Sequence, residues 1–428
     1  MKLYAYILAF ACICILYLNR QAPKSSPSTP AFKQSEAPTP SDSPLDVASE
    51  ALPSSLPKIG DSGYCGAKMP ANFRRPGISQ LINRAPGADG NAARRLYNQR
   101  QEMEEHLDTW ESKMPESPYP HVWRGFLTLK QGQKGEALEH FQEAYGRLPK
   151  DPILALLIGN LQTHSIDLES AIAMLEVYTK HYPADLPKQQ ELARLQTQYE
   201  IQADYQNIEY QGLNLLYPPQ TSHLDWESFV VWIDERLEAA ADFTGTEKRT
   251  HLTIVAFEGK AELLATTCTP TWTGGVYDGS IKLALRNLQS LPHRTTTAHE
   301  TLHAQLSHTL AGPIPAWFSE GMAQAFAKEE KYARRSWQKM VQHQTYIPFS
   351  SLGDSFLEFT GTDDARLAYH QGLAMVLWIQ EFEGDQGLHR LVQTIKDSKS
   401  RHTDLMQAIE RDYEASDFLD FVATLVQD

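Results

Sequence analysis

The stretch His299-Glu300-Thr301-Leu302-His303 decides how the rest of this 428-residue chain is interpreted. Residues four apart lie on one face of a helix, so His299 and His303 can both direct an imidazole nitrogen toward one ion about 2 Å away. Glu300 is poorly placed to complete a tetrahedron of ligands, but well placed to hold and deprotonate a water molecule at the metal's open position. The pattern therefore predicts a zinc site whose third protein ligand comes from elsewhere.

The third ligand is expected in the segment Trp317–Gly321, which contains Glu320. The first helix should run from about Pro292 to Leu310, and a second should start near Pro315. If the two helices are antiparallel, the rise over about eight residues along the first helix is nearly cancelled by the rise over about five residues back along the second, at about 1.5 Å per residue. Glu320 would then lie level with the second histidine, as a common metal site requires.

Length and composition predict two folded domains and argue against one class of partner. The chain is 42% hydrophobic and 10% aromatic, which is enough to build cores. Its formal net charge is -14 and its pI is near 5.5, and it has no block rich in Lys and Arg. Nucleic acid is therefore not expected as a partner.

The first 20 residues are typical of a targeting segment. Lys2 precedes an apolar run from residue 3 to 18, which fits the charged and apolar regions of an export signal. The only small-x-small triplet, at 9–11, lies inside the run, which favours an uncleaved membrane anchor over a cleaved signal peptide; a lipoprotein on Cys12 is a third possibility. We expect export to the cell envelope or periplasm, with the membrane as an N-terminal partner.

Residues 21–60 are rich in Pro, Ser, Ala and Thr, a composition that predicts a disordered linker because it cannot bury a core. A connecting segment is expected at 61–91. Two cysteines remain beyond the targeting segment, Cys65 and Cys268. In an oxidising compartment they can pair as a disulfide, and two buried free thiols are the alternative.

Residues 92–205 contain a pattern that repeats after 34 residues, the period of tetratricopeptide repeats. Its small residues allow two helices of a unit to approach closely, and its proline ends the second helix. The pattern predicts an N-terminal α-solenoid with a concave face for a peptide or protein partner, and a plain stack of helical hairpins is the alternative. One period earlier, Met103, Leu107 and Trp110 would belong to a degenerate first unit. The repeated positions are Gly125, Ala137, Phe141, Ala144 and Pro149, followed by Gly159, Ala171, Leu175, Tyr178 and Pro183.

Residues 206–428 should form a second domain that begins with a small mixed sheet. An amphipathic helix is predicted at 225–242, a strand at 251–257 and a hairpin with an Asp-Gly turn within 273–285. The fold class is thus α+β and mostly helical. The first arm of the hairpin is expected to be the sheet edge above the cleft, where it could pair with an extended substrate, although an ordinary hairpin without contacts is the alternative. The candidate edge residues are Gly275, Val276 and Tyr277.

The motif and its flanks resemble those of the gluzincin metallopeptidases. The resemblance is strongest to the peptidase-MA-like families, in which a Gly-x-Tyr-Asp-Gly-x-Ile strand precedes the motif and a Trp-(Leu/Phe)-x-Glu-Gly segment follows it. These segments correspond here to Gly275–Ile281 and Trp317–Gly321, and the resemblance covers about residues 207–393. It implies a zincin-like metallopeptidase domain with Zn²⁺ as its cofactor. The implied zinc ligands are His299, His303 and Glu320, and the implied general base is Glu300.

Two departures from related patterns are informative. A metzincin is excluded because Leu306 and Thr309 stand where a glycine and a third histidine should be. Gln324 follows Glu320 by one turn, where thermolysin-like enzymes have an aspartate that orients a ligand histidine. The sequence therefore leaves the partners of the two histidines unidentified.

The group that stabilises the transition state is expected on the C-terminal helices. Tyr369 and His370 are the preferred candidates, because related families often carry a Tyr-x-x-(Gly/Ser) segment there. Tyr369 could equally be an inert core tyrosine. His343 and Tyr346 are further candidates.

Together these features predict a zinc-dependent endopeptidase that acts on protein or peptide substrates and uses its repeats to recognise substrates or partners. A non-catalytic, repeat-based scaffold with a structural or vestigial metal site is the alternative. Structural zinc usually has four protein ligands, whereas this site offers three and Glu300, so the open position favours an enzyme.

Overall fold

The computed structural model describes residues 73–163, 167–267, 269, 274–310, 314–352, 362–398, 401–412 and 415–427. The predicted targeting segment 1–20, the predicted linker 21–60, Cys65 and Cys268 lie outside the described residues, so the disulfide and the anchor stay predictions. Within the described part of the chain, we find no helix with both the length and the apolar content that a bilayer crossing requires.

The N-terminal half of the described chain is helical, as predicted. From the second helix to the eighth, each helix packs against the next, and the first lies against the fourth and the sixth. The assignment to tetratricopeptide repeats, the solenoid and the domain boundaries stay predictions. The helices are α1 (Ile78–Asn83), α2 (Gly87–Leu96), α3 (Arg100–Lys113), α4 (Tyr119–Lys130), α5 (Lys134–Arg147), α6 (Pro152–Gln162), α7 (Leu168–His181) and α8 (Leu186–Ile201).

Two glycines 34 residues apart make equivalent close contacts between paired helices. A Cβ atom on Gly125 of α4 would lie 2.6 Å from the ring of Phe141 on α5. A Cβ atom on Gly159 of α6 would lie 2.9 Å from the side chain of Leu175 on α7. Phe141 and Leu175 are both fully buried. Each glycine therefore leaves room for one large core side chain.

Alanine at either glycine should destabilise the fold. We expect Gly125→Ala and Gly159→Ala each to lower the free energy of unfolding by about 1–3 kcal/mol, because the added methyl group overpacks the core. Gly146→Ala in α5 is the control, since no atom lies within 4 Å of its Cβ position; it should raise that free energy by up to about 1 kcal/mol. Denaturant unfolding measures all three, and equal effects at the three positions would contradict this account of the packing.

A five-stranded mixed sheet follows, with strand order β1-β2-β3-β5-β4. β2, β3 and β5 are parallel neighbours, while β1 and β4 are antiparallel edge strands. The predicted strand and the predicted hairpin are confirmed, and the hairpin turns at Asp278-Gly279-Ser280. The strands are β1 (Gln206–Tyr210), β2 (Leu213–Tyr217), β3 (Leu252–Phe257), β4 (Gly275–Tyr277) and β5 (Ile281–Ala284).

Helices cover both faces of this sheet. The helices α9 (Trp226–Thr244) and α11 (Leu291–Thr309) pack on one face, and α10 (Lys260–Thr266) packs on the other. The predicted amphipathic helix is confirmed as α9, which begins where the Asp225 side chain accepts from the backbone N–H of Ser228. Tyr205, just after α8, donates a 3.0 Å hydrogen bond to Glu262 on α10. This contact joins the helical half to the sheet.

The C-terminal helices build a second core around the C-terminal half of α11. Its fully buried side chains include Trp317, Phe318, Trp378 and Phe418. The helices are α12 (Ala316–Ala327), α13 (Glu330–His343), α14 (Thr362–Glu383), α15 (Asp385–Asp397), α16 (Arg401–Asp412) and α17 (Ala415–Gln427). The segment His299–His303 thus lies on a helix that packs between the sheet and this bundle.

Candidate metal centre

The two motif histidines face the same point from one side of α11. Their Nε2 atoms lie 3.0 Å apart, and both rings are largely withdrawn from solvent. The helix can present them together because one of its faces is held by the sheet and another by the C-terminal bundle. The helical spacing expected from the sequence is therefore realised.

Glu320 on α12 completes a cluster of three donors. One of its carboxylate oxygens lies 3.4 Å from Nε2 of His299, and the other lies 3.6 Å from Nε2 of His303. Ligands about 2.1 Å from a zinc ion at tetrahedral angles are separated by about 3.4 Å. The separation of the two Nε2 atoms and the distance from each of them to its nearer Glu320 oxygen bracket that value, and with one donor atom per residue all three lie within 4.8 Å of one another. The donor types are those that zinc prefers. The cluster therefore fits a zinc ion with one coordination position left for another ligand.

Two side chains orient the histidines, and the sequence did not identify either. Oε1 of Glu329 lies 3.2 Å from Nδ1 of His299. The Ser319 hydroxyl lies 3.1 Å from Nδ1 of His303. A carboxylate only accepts hydrogen bonds, so Nδ1 of His299 carries a proton, which leaves Nε2 as the nitrogen that would bind a metal.

Glu329 reaches His299 because of the turn between α12 and α13. Lys328 has a positive φ of 57° and ends α12 in the left-handed conformation. The backbone N–H of Glu329 then donates to the carbonyl of Gln324, which fixes the position of the glutamate. A lysine that adopts this conformation carries no clear sequence signal, because glycine or asparagine usually ends a helix in this way. The sequence signal for Glu329 is weak: it is a carboxylate that closely follows the helix that bears Glu320.

The charges in the cluster are coupled. Burial alone would raise the pKa of Glu320, but the imidazoles of His303 and His299 hold it well below its usual range. Burial also lowers the pKa of His299, but the carboxylates of Glu329 and Glu320 outweigh burial and raise it well above its usual range. Glu320 therefore stays ionised in the interior, where a cation, either an imidazolium or a metal ion, must balance its charge.

Glu300 is buried beside the cluster and faces the edge strand. Burial raises the pKa of its carboxyl, while the imidazoles of His299 and His303 oppose that change. A Cβ atom on Gly275 would lie 3.2 Å from Cγ of Glu300 and 2.8 Å from the Thr296 side chain. The absence of a side chain at Gly275 therefore lets β4 lie directly against the helix at Glu300.

The backbone of β4 is oriented to accept another strand. The backbone N–H of Ala284 donates to the carbonyl of Gly274, so Gly274 and Val276 form the hydrogen-bonded pairs with β5. The peptide groups of Gly275 and Tyr277 consequently point away from β5. Among the described residues, no strand pairs with that outer edge. The predicted position of β4 at the sheet edge is confirmed; its binding of substrate stays a prediction.

Tyr369 on α14 reaches the cluster. Its phenol donates a hydrogen bond to Glu320, and its pKa is raised well above the usual value by burial, followed by the charges of Glu320, Glu329 and Glu300. The phenol therefore keeps its proton near neutral pH. Tyr369 thus lies where a hydrogen-bond donor to a reacting group could act.

Close packing of α12 on α14 holds Tyr369 in place. Cβ atoms at Gly321 or Gly372 would collide with the backbone of the opposite helix, so only glycines permit this crossing. Gln324 reinforces it, because its side-chain NH₂ donates to the carbonyls of Glu320, at 3.0 Å, and of Tyr369, at 3.1 Å. Gln324 therefore links these two helices instead of orienting a histidine.

The other three candidates for a transition-state donor lie away from the cluster. The ring Nδ1 of His370 is 2.6 Å from the Ser336 hydroxyl on α13, and burial with the nearby charge of Arg366 lowers its pKa to about 4. Tyr346 packs on Phe349 and Phe418, and His343 is exposed at the end of α13. Of the preferred pair, the structure brings only Tyr369 to the cluster, because adjacent residues of a helix point in different directions.

No protein-family model matches the sequence, and no curated protein matches it. One solved structure that is similar to the chain is a mutant of an M1 zinc metallopeptidase from Deinococcus radiodurans, with 15% sequence identity and a TM-score of 0.32. The match covers 52% of this chain and 51% of that one, so the chain spans about half the length of this neighbour. A similarity at this level assigns neither a fold nor an activity.

Glu329→Gln should weaken zinc binding by about 10–100-fold, because an amide is a poorer acceptor for the Nδ1–H of His299. The matched control is Glu330→Gln, since the Glu330 side chain makes no hydrogen bond or ion pair with the described residues of the cluster. Competition with a chromophoric chelator measures the affinity of each variant. Equal zinc affinity in the two variants would exclude Glu329 as the partner that orients His299.

Proposed function

We propose that this chain is a zinc-dependent metallopeptidase, and that its edge strand makes it an endopeptidase. The observation that carries the proposal is the convergence of two imidazoles and one carboxylate, separated by 3.0–3.6 Å, beside the buried Glu300. Two histidines and one glutamate are the donor set of many catalytic zinc sites, and three donors leave one position for water or substrate.

His299, His303 and Glu320 would hold the ion. When bound, zinc would supply Lewis acidity, which lowers the pKa of water and polarises a carbonyl group. The two neutral imidazoles and one carboxylate would carry a total charge of -1, so they would leave the site with a net positive charge that attracts the carbonyl oxygen of a peptide bond. Glu329 and Ser319 would keep the rings turned toward the site.

Glu300 is proposed as the general base. A base is most effective when its pKa lies near the working pH, and burial raises the pKa of this carboxyl. Glu300 would take a proton from the attacking water molecule and then deliver it to the nitrogen of the leaving amine. Peptide hydrolysis requires both proton transfers, and Glu300 would perform both of them.

Tyr369 is proposed as the donor to the oxyanion. Its raised pKa keeps the phenol protonated, and its hydrogen bond to Glu320 places the O–H group at the cluster. As negative charge develops on the carbonyl oxygen of the substrate, Tyr369 would donate to that oxygen instead. The glycine crossing between α12 and α14 would hold the phenol at the required position.

The outer edge of β4 is proposed as the substrate-binding strand. The outward peptide groups of Gly275 and Tyr277 match an extended polypeptide, which can pair with them without regard to its side chains. This geometry favours cleavage within a protein chain. The helical half would recognise substrates or partners, and the predicted N-terminal segment would hold the enzyme in the cell envelope.

The scaffold alternative is less well supported by the site. A purely structural metal would be expected to have four protein ligands, and here a fourth ligand is not supplied by Glu300, which follows His299 directly on the helix. Its buried position and raised pKa suit proton transfer better than a structural role.

Glu300→Gln should abolish most cleavage and leave zinc bound. We expect the turnover rate on an unfolded protein substrate to fall by about 10²–10⁴-fold, since proton transfer contributes about that much. Zinc content per chain should remain the same as in the wild type. Retained cleavage in the amide variant would remove Glu300 from the mechanism, and wild-type protein that binds zinc but cleaves nothing would favour the scaffold.

Tyr369→Phe should lower the turnover rate by about 10²–10³-fold with little change in KM, because the lost donor acts on charge that develops only in the transition state. Tyr346→Phe is the matched control, since that phenol packs among aromatic rings away from the cluster. Steady-state kinetics on one quenched fluorescent peptide compare the two variants. A parallel loss in both variants would point to a general packing effect.

A further inference from the structure

A single arginine connects the metal helix to the edge strand. Arg249 lies in the loop between α9 and β3, and its Nη1 donates to the phenol oxygen of Tyr277 at 2.7 Å. The same nitrogen donates to the carbonyl of Ala304 on α11 at 3.0 Å. Its Nε donates to the carbonyl of His251 at 2.7 Å, which fixes the direction of the guanidinium.

The loop that carries Arg249 is itself fixed to α11 by Gln305, which is fully buried. The side-chain oxygen of Gln305 accepts from the backbone N–H of Arg249 at 3.0 Å. Its NH₂ group donates to the hydroxyl of Thr246 at 2.9 Å and to the carbonyl of Glu247 at 2.7 Å. The amide is therefore satisfied on both sides, and the backbone of Arg249 cannot shift along the helix without breaking these bonds.

β4 runs alongside α11, and the contacts of Arg249 lie at one end of the region where the strand and the helix pack together. Gly275 faces Glu300 at the other end, and Tyr277 is joined through Arg249 to Ala304. From Gly275 to Tyr277 the strand advances about 6.7 Å, and from Glu300 to Ala304 the helix advances about 6 Å. The two ends of the strand segment therefore lie beside the two ends of the helix segment. Ala304 directly follows His303 in the chain.

We propose that Arg249 is a positioning residue that fixes β4 relative to the metal helix, and so sets which peptide bond of an extended substrate reaches the cluster. The proposal rests on the proposed function, because it assigns a consequence to the edge strand as a substrate-binding strand. Arg249 acts through Tyr277, because its guanidinium holds the Tyr277 phenol while the peptide group of Tyr277 points to the outer edge of β4, with which no described strand pairs. The ring of Tyr277 also lies 5.6 Å from the guanidinium carbon, which adds a cation–π contact.

A lysine cannot replace this arrangement fully. Its ammonium group is a single point on a flexible stem, whereas the planar guanidinium donates from Nη1 and Nε in fixed directions. Arg249→Lys should therefore restore the bond to Tyr277 in part and lose the bond to His251.

The test is a double-mutant cycle of Arg249→Met and Tyr277→Phe, assayed with a quenched fluorescent peptide and with a reduced, carboxymethylated protein. Each single variant should raise KM by about 10-fold, the loss that corresponds to one hydrogen bond to a charged group, with the turnover rate changed by less than about 2-fold. The double variant should be no worse than either single variant, and Arg249→Lys should lie between Arg249→Met and the wild type. The bonds cleaved in the unfolded protein should shift in Arg249→Met.

Arg294→Met is the matched control, because Arg294 also lies at α11, stacks on an aromatic ring at 4.9 Å and donates to a backbone carbonyl, but has no bond to β4. It should leave KM and the cleavage sites unchanged. Additive effects of Arg249→Met and Tyr277→Phe, or a fall in turnover rate with constant KM, would overturn the proposal. If Arg249→Met does not fold, Tyr277→Phe decides, because it removes the same bond and keeps the ring.

Hydrogen exchange separates this proposal from the proposed function. If the wild type cleaves nothing, the assignment as a peptidase fails, and the exchange rates still test the positioning. Arg249→Met should speed exchange of the Val276 amide, which is paired with β5, by about 10-fold while the amides of α11 keep their protection. Unchanged exchange in β4 would overturn the positioning role whatever the activity.

Discussion

The buried carboxylate of Glu320 is the constraint on which the rest of this half of the molecule depends. An ionised group in the interior is costly unless a cation is within reach, and here two imidazoles lie 3.4 and 3.6 Å from its oxygens. That requirement fixes α12 against α11 in one register. It also explains why Glu329 and Ser319 are present, since the rings can meet Glu320 with Nε2 only if their other nitrogens have partners.

Close packing at glycines brings two further elements, α14 and β4, to the cluster. Through Gly321 and Gly372, α12 brings α14 and therefore Tyr369 to Glu320. On the opposite side, Gly275 brings β4 against Glu300. Glycine serves both contacts because a methyl group would separate the backbones by more than the polar groups can tolerate. The proposed donor, base and substrate strand are thus placed by packing, and the proposed metal ligands by charge.

Much of this arrangement could be predicted from the sequence, and the limits have physical reasons. The helical spacing of His299 and His303 and the antiparallel return to Glu320 follow from backbone geometry, and both are realised. Glu329 could not be found, because its approach depends on a left-handed lysine at 328 that no pattern marks. The sequence offered Tyr369 and His370 equally, because which neighbour faces the cluster depends on how α14 rotates against α12. The disulfide, the anchor and the repeat assignment stay predictions.

The central claim is that His299, His303 and Glu320 form a zinc site with an open position. X-ray absorption at the zinc edge, on full-length protein equilibrated with one equivalent of zinc, tests it most directly. The account predicts one tightly bound zinc per chain, with two imidazoles and only nitrogen or oxygen ligands at about 2.0–2.2 Å. A sulfur ligand at about 2.3 Å, a shell without imidazole or a failure to retain zinc would contradict it.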